Sequence, residues 1–305
     1  MVEQAFKAQA EGRVQMPAKI YIHLNRYHGD FRAMPAYIEG MEACGIKWVN
    51  VHPENKKHKL PAVMALIVLS DSKTGLPLAI MDGTLITNLR TGAAGGIAAK
   101  YLANKSSSRI SFVGCGKQAQ SQLMALNEFF KIKSVRAYDS NQKHALNFIN
   151  EMKYLGLEMT RCRNIRDCLS GADIVVTTTP SRKPIIKFSW LGKGVHINAI
   201  GADAKGKEEL EPAILKKAKV IVDDRKQAIH SGEINVPISR KLFKETDIHA
   251  CLGEVITGRR SGRSNKNELT IFDSTGLAIQ DVAVANYAYK KAIKRGLGRH
   301  IQIIS

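Results

Sequence analysis

Two sets of residues have the types and spacing to do chemistry. The first is cationic. Arg32 and Lys47 stand inside otherwise apolar stretches, FRAMP and GIKWVN. A cation in a buried strand is costly without an anionic partner. A carboxylate ligand supplies one, and arginine meets it with two parallel hydrogen bonds. Burial also lowers a lysine pKa toward the range of acid–base work. The competing reading has each side chain pointing outward from a half-exposed sheet. Arg90 precedes a run of small residues, RTGAAGGIAAKYLA, where it would bind a carboxylate or phosphates, or lie on the surface.

The second set starts at Arg109, in RISFVGCGKQAQSQLMAL. It reads as a buried strand, a glycine turn and a helix start. Gly114, Gly116 and Ala119 fill the three small positions of a dinucleotide fingerprint: the tight turn, the close backbone approach to a pyrophosphate, and the close packing of helix on strand. The helix N-terminus offers N–H groups and a positive dipole end to phosphates. Asp139 ends the following strand, SVRAY, where a ribose-binding acid belongs, and an acid there favours NAD over NADP. An ordinary strand–turn–helix is the alternative.

Further polar groups cluster after apolar runs. TTTPS contains Thr179, NAIGADAKGKEEL contains Asp203 and Lys207, and DSTG contains Ser274. All three runs fall on the edge where a nicotinamide would sit. Helix capping is an economical alternative for Asp203 and Ser274. His52, His196, His230 and His249 lack metal-ligand spacing, so structural or surface roles are expected and no metal site. The cysteines, Cys44, Cys115, Cys162, Cys168 and Cys251, are scattered and odd in number, which predicts reduced, mostly buried thiols.

The elements that must position these groups fall into three parts. Residues 1–107 open with a helix ended by Gly12 and Pro17. Strands follow at 19–24, 30–37, 46–51, 62–70 and 78–82, with turn chemistry at 27–30 and 71–75, giving a mixed or antiparallel sheet. The small-residue helix then suggests close packing on a backbone or a ligand. Residues 108–275 alternate strand and helix, with strands at 109–113, 134–138, 173–177, 195–200, 220–223 and 269–272. This predicts a doubly wound parallel sheet with its ligand over the carboxyl ends of the strands. Residues 276–305 form a helix with Ile279, Val282, Tyr289 and Ile293 on one face, and a last short strand, HIQII, that adds to the first sheet. The fold class is therefore α/β: a Rossmann-type domain at 108–275, inserted beside a mixed α+β substrate and dimerisation domain made of 1–107 and 276–305.

Composition narrows the partners. The chain has 305 residues, 44% hydrophobic, with no apolar run long enough for a bilayer and no signal-peptide core. A cytoplasmic location is expected. Lys and Arg outnumber Asp and Glu by 46 to 27, a net charge of +19, yet the basic residues are dispersed. With no basic tail and no aromatic–basic alternation, a solvated basic surface is expected rather than specific nucleic-acid binding.

Taken in order, FRAMPAY, GIKWVNVHP, LPAVMAL, MDGT, LRTGAAGGIAAKYLA, FVGCGKQAQ, TTTPS, HINAIGADAKGKEEL and FDSTGLAIQD closely resemble the ornithine cyclodeaminase/mu-crystallin family, nearest to its archaeal alanine dehydrogenase branch. The resemblance covers nearly the whole chain. It implies a homodimer with first-domain sheets packed across the two-fold axis. It implies that Arg32 and Lys47 are the substrate-carboxylate and catalytic cations, with Arg90 near both carboxylate and cofactor. It also implies cofactor contacts at Arg90, Thr91, Gln118, Ala119, Asp139, Thr179, the Ile200, Gly201 and Ala202 turn, Lys207 and Ser274. Asp203 matches the proton donor of the cyclodeaminases. The implied activity is NAD-dependent oxidative deamination of L-alanine. The alternatives are ornithine cyclodeamination, reduction of a cyclic imine such as pyrroline-2-carboxylate, and a non-catalytic nucleotide-binding role as in the crystallins.

Two departures from the family pattern stand out. The chain opens inside the helix that relatives precede with a further strand, so a misassigned start or a different sheet edge and dimer is expected. Ala62 stands where many relatives have Thr, and the lost hydroxyl contact would weaken cofactor binding by ~1 kcal/mol.

Overall fold

The computed structural model describes residues 1–302 and, except for Lys56, their side chains. The chain forms two compact units, one made of residues up to Arg90 and from Ala278 onward, the other of Thr91–Leu277. The boundaries read from the sequence differ most at the first junction. The helix Thr84–Leu102 is continuous and supplies residues to both units. It begins a turn and a half before the expected Arg90, where Asp82 accepts a hydrogen bond from the Thr84 N–H at 2.8 Å.

The first unit is built on a six-stranded sheet. Its strands are β1 (Val14–Gln15), β2 (Ile20–Leu24), β3 (Gly29–Ile38), β4 (Ala43–Val51), β5 (Val63–Ser70) and β6 (Pro77–Asp82). All pairings are antiparallel, in the order β1-β3-β4-β5-β6, with β2 also paired to β3. Pro35 lies in the middle of β3 without disturbing that edge. Pairing with β2 ends at Ala33 and pairing with β1 begins at Tyr37, so Pro35 has no ladder there to break. Alternation along β3 buries Arg32, Met34, Ala36 and Ile38. The C-terminal helix Ala278–Lys294 contacts β3, β4 and β5 and also the N-terminal helix Val2–Ala10. The expected helix face holds at Ile279 and Val282, which are fully buried, but Ile293 is 63% exposed because the helix outruns the sheet beneath it. Residues 300–302 carry no strand, and the rest of the expected strand HIQII lies outside the described residues.

The second unit holds an eight-stranded parallel sheet. Its strands are β7 (Arg109–Val113), β8 (Ser134–Tyr138), β9 (Glu158–Arg161), β10 (Ile174–Thr177), β12 (His196–Ala199), β14 (Lys219–Val222), β15 (Ile248–Cys251) and β16 (Thr270–Asp273), while β11 (Arg182–Ile186) and β13 (Glu208–Leu210) form a separate parallel pair. The order is β15-β14-β16-β12-β10-β7-β8-β9. The chain therefore runs outward one way from β7 through β8 and β9, then the other way through β10 and β12. That reversal creates a crevice at the carboxyl ends of β7 and β10. Each face of the sheet has its own core: Ile110, Phe112, Ile174 and Val176 face one, Val113, Val175, Ile197 and Val222 the other. Strands β9 and β15 are absent from the sequence reading. Both are edge strands of four residues, and β9 is largely polar and exposed. The small-residue stretch packs on a backbone: a Cβ at Gly92 would come within 2.2 Å of the Ser121 carbonyl oxygen, in the helix Lys117–Phe129.

Candidate functional site

In the first unit the sheet delivers Lys47 from the centre of β4, and only 1% of its surface is exposed. Its Nζ lies 2.6 Å from Asp281 Oδ2, on the C-terminal helix, and 3.4 Å from Thr87 Oγ1. Arg90 Nε donates to the other oxygen of Asp281 at 2.9 Å, and its Nη1 donates to Gln280 Oε1 at 3.0 Å. Two cations thus share one fully buried carboxylate. Burial pushes Lys47 down from 10.5 to about 7, Asp281 pulls it back up, and Arg90 adds to the depression. Such a lysine gives or takes a proton near neutrality.

Arg32 is placed by register. Met34 faces Lys47 and Arg32 faces Val49, so Arg32 and Lys47 are diagonal neighbours on one sheet face. Asp30 grips Arg32 with both oxygens, at 2.7 and 3.2 Å, and the Tyr21 ring lies 5.3 Å from its guanidinium carbon. The outward reading of Arg32, Lys47 and Arg90 does not hold: all three are buried. The sequence reading did not single out Asp281, Gln280 or Thr87. The available signal was an acid inside the apolar stripe of Ile279, Val282 and Ala285.

In the second unit, Gly114 has φ +91°, and a Cβ there would lie 2.9 Å from the Thr178 carbonyl group. The turn therefore requires glycine. Gly116 caps the helix Lys117–Phe129 with no side-chain hydrogen bond, and a Cβ on it would meet nothing within 4 Å. A helix N-terminus facing such a gap fits a pyrophosphate. Gln118 and Ala119 lie in that first turn, Ala119 fully buried. Asp139 binds the glycine turn: Oδ2 accepts from the Cys115 N–H and Oδ1 from the Asn141 N–H, both at 2.9 Å. Thr91 is buried, with its carbonyl accepting from Gln122 Nε2 at 2.8 Å.

Other residues singled out from the sequence sit at the carboxyl ends of β10, β12 and β16. Thr179 is held by Glu209, through its N–H at 2.7 Å and its hydroxyl at 2.6 Å. Ile200 and Ala202 are buried, and the Gly201 N–H donates to Glu209 at 3.0 Å. Lys207 Nζ pairs with Asp203 Oδ1 at 2.5 Å. Ser274 is buried beside Asp223, which accepts from the Thr275 and Gly276 N–H groups at 2.6 and 2.8 Å. Glu209, Glu233, Asp273 and Asp223, all fully buried, were given no role from the sequence, although Glu209 lies in the run NAIGADAKGKEEL and Asp273 opens DSTG. Burial pushes the His196 pKa down to about 3, so the ring is neutral, hydrogen-bonded to Thr270 and Asn198. The cysteines are free thiols, with Cys115, Cys162 and Cys168 buried. Among the described residues no three His, Cys, Asp or Glu side chains are grouped to hold a metal, and no helix is long and apolar enough to cross a membrane.

The model of the ornithine cyclodeaminase/mu-crystallin family matches residues 1–296. The chain belongs to that family. Within it, the chain is 52% identical to the alanine dehydrogenase of Archaeoglobus fulgidus over 99% of this chain and 92% of that protein. A solved archaeal alanine dehydrogenase dimer with bound NAD is 51% identical, with a TM-score of 0.95, over 99% of this chain and 93% of that one. The Thermococcus litoralis Δ1-pyrroline-2-carboxylate reductase, solved with NADH and L-proline, is 39% identical with a TM-score of 0.96, over 98% of this chain and 94% of that one.

Proposed function

We propose that this protein is an NAD-dependent amino-acid dehydrogenase that converts L-alanine, NAD and water to pyruvate, ammonia and NADH, and runs the reverse reductive amination. The observation that carries the reading is the pair Lys47 and Arg90 sharing the single carboxylate of Asp281. With Lys47 protonated, they hold one positive charge more than the acid they surround, in a place where an unmatched charge is expensive. A substrate carboxylate balances it. Similarity to the alanine dehydrogenase of Archaeoglobus fulgidus supports alanine as the amino acid.

NAD, when bound, accepts the hydride from the substrate Cα. The chain does the rest. Gly114, Gly116, Gln118 and Ala119 form the turn for the pyrophosphate, and Asp139 takes the adenosine ribose. Thr179, Ile200, Gly201, Ala202, Lys207 and Ser274 line the nicotinamide half, with Arg90 and Thr91 as further contacts. Arg32 and Arg90 hold the substrate carboxylate. Lys47 passes the proton as the imine is hydrolysed, and Asp203 is the second acid–base group. The protein works as a homodimer in the cytoplasm. The exposed outer face of the first sheet, with Ile20, Ile22, Trp48, Leu66 and Ile80, supports a second copy as its cover.

Reduction of pyrroline-2-carboxylate is the second reading, favoured by the likeness to the Thermococcus litoralis reductase. It uses the same carboxylate-binding cations and the same Cα hydride step. The roles are tested by Lys47→Ala. The variant should lose NADH formation from alanine while retaining NADH binding; unchanged turnover removes Lys47 from the mechanism.

A further inference from the structure

Resting on the reading that the second unit binds NAD, we infer that Glu209 is a positioning residue for the nicotinamide half of the cofactor. It acts by fixing the distance between the turns that follow β10 and β12. Its carboxylate accepts from Thr177 Oγ1 at 2.7 Å, the Thr179 N–H at 2.7 Å, the Thr179 hydroxyl at 2.6 Å and the Gly201 N–H at 3.0 Å. Thr177 and Thr179 belong to one strand end and its turn, Gly201 to the next. One side chain thus clamps two backbone segments across the carboxyl edge. The turns are in close contact: a Cβ at Gly201 would lie 2.2 Å from the Thr179 carbonyl oxygen and 2.6 Å from Glu209 Oε2.

Glu209 is itself fixed from below. Glu233 accepts from the Glu209 and Leu210 N–H groups, the latter at 2.6 Å, and Asp273 accepts from the Glu233 N–H at 2.9 Å. Each carboxylate holds the backbone of the next acid, from the end of β16 up to the turns. Three acids with no exposed surface are an expensive way to build a core that apolar residues could fill. What the arrangement supplies is a clamp whose four donors converge on one group. A dinucleotide approaching the switch point reaches past the fingerprint turn to this edge with its nicotinamide end. The two turns must keep their spacing for that end to lie flat. Glu209, being fully buried, does so without touching the ligand.

The test is binding, which needs no turnover. NADH and ADP-ribose are titrated against wild-type protein and against Glu209→Gln, which keeps the size but places an amide NH2 against backbone and hydroxyl donors. The variant should bind NADH about ten- to a hundredfold more weakly, as expected for turning accepted hydrogen bonds into donor–donor contacts, while ADP-ribose binds within about twofold of wild type. Thr177→Val removes one clamp donor from a residue with no exposed surface. It should weaken NADH about three- to tenfold, again sparing ADP-ribose, and it carries the test if the glutamine variant fails to fold. NADH binding unchanged in the folded variants, or NADH and ADP-ribose weakened equally, overturns the inference. Failure of the wild-type protein to bind either ligand would instead overturn the NAD reading on which it rests.

Discussion

Replacing Asp281 by Asn isolates the electrostatics of the cationic centre. The carboxylate lies 2.6 Å from Lys47 Nζ. At an effective dielectric near 20, that charge is worth on the order of 6 kcal/mol to the ammonium form, or about 4 to 5 pKa units. Asparagine returns part of this, because its carbonyl still faces Nζ, so a fall of about 2 units is the minimum expected. The sign follows from the charges: losing the anion leaves Arg90 as the dominant neighbour, and a like charge disfavours the ammonium. Lys47, at about 7 in the native protein, should titrate near 5 or below, by roughly that minimum fall. The assay is the pH profile of kcat/KM for alanine, which reports free-enzyme groups. Its inflection near 7 should move to about 5 in D281N by the same shift. The variant should also lose ~3 kcal/mol or more of stability, since removing one partner of a buried pair strands the other. An inflection that stays within about half a unit of wild type refutes the claim that Asp281 sets the Lys47 proton.

Three other perturbations test separate parts. Burial and neighbouring acids push the Asp273 pKa up to about 8. The native state therefore holds a proton that the unfolded chain loses above about 4, and stability should fall as pH rises from about 4 to 8. Urea unfolding of Asp273→Asn should show a flatter pH dependence in that window, and an equal slope contradicts the reading. Lys47 contributes the opposite sign: its native pKa is depressed, so the unfolded chain binds more protons between about 7 and 10.5, and stability rises with pH there. Lys47→Met should remove that rise, read by the same unfolding series. Gly114→Ala forces a Cβ onto a φ of +91° and to within 2.9 Å of Thr178. It should cost ~1–3 kcal/mol in thermal or urea unfolding and weaken NADH binding, measured by titration.

Much of the fold is legible in the sequence because its signals are local. Apolar runs bounded by turn residues mark β3 to β6, and Gly114 with its flanking apolar strand and helix marks the nucleotide-binding half. The edge strands β9 and β15 escape because strands of four residues, one of them solvated, carry too few apolar positions to show a period. The cations Arg32, Lys47 and Arg90 are visible as misplaced charges. Their partner Asp281 is far away in sequence and looks like one acid in a helix; only folding sets it 2.6 Å from Lys47. Glu209 is hidden for the same reason. Its donors come from Thr177, Thr179 and Gly201, and no spacing along the chain announces that they converge.

The direct measurement of the reaction on alanine is to incubate the purified protein with NAD and L-alanine and count NADH and pyruvate, with parallel incubations of NAD with L-ornithine and NADH with pyrroline-2-carboxylate. NADH and pyruvate are expected in equal amounts from alanine, and no proline from ornithine. Absence of NADH and pyruvate from alanine, together with proline formed from ornithine or from pyrroline-2-carboxylate, contradicts the reading of alanine as the substrate.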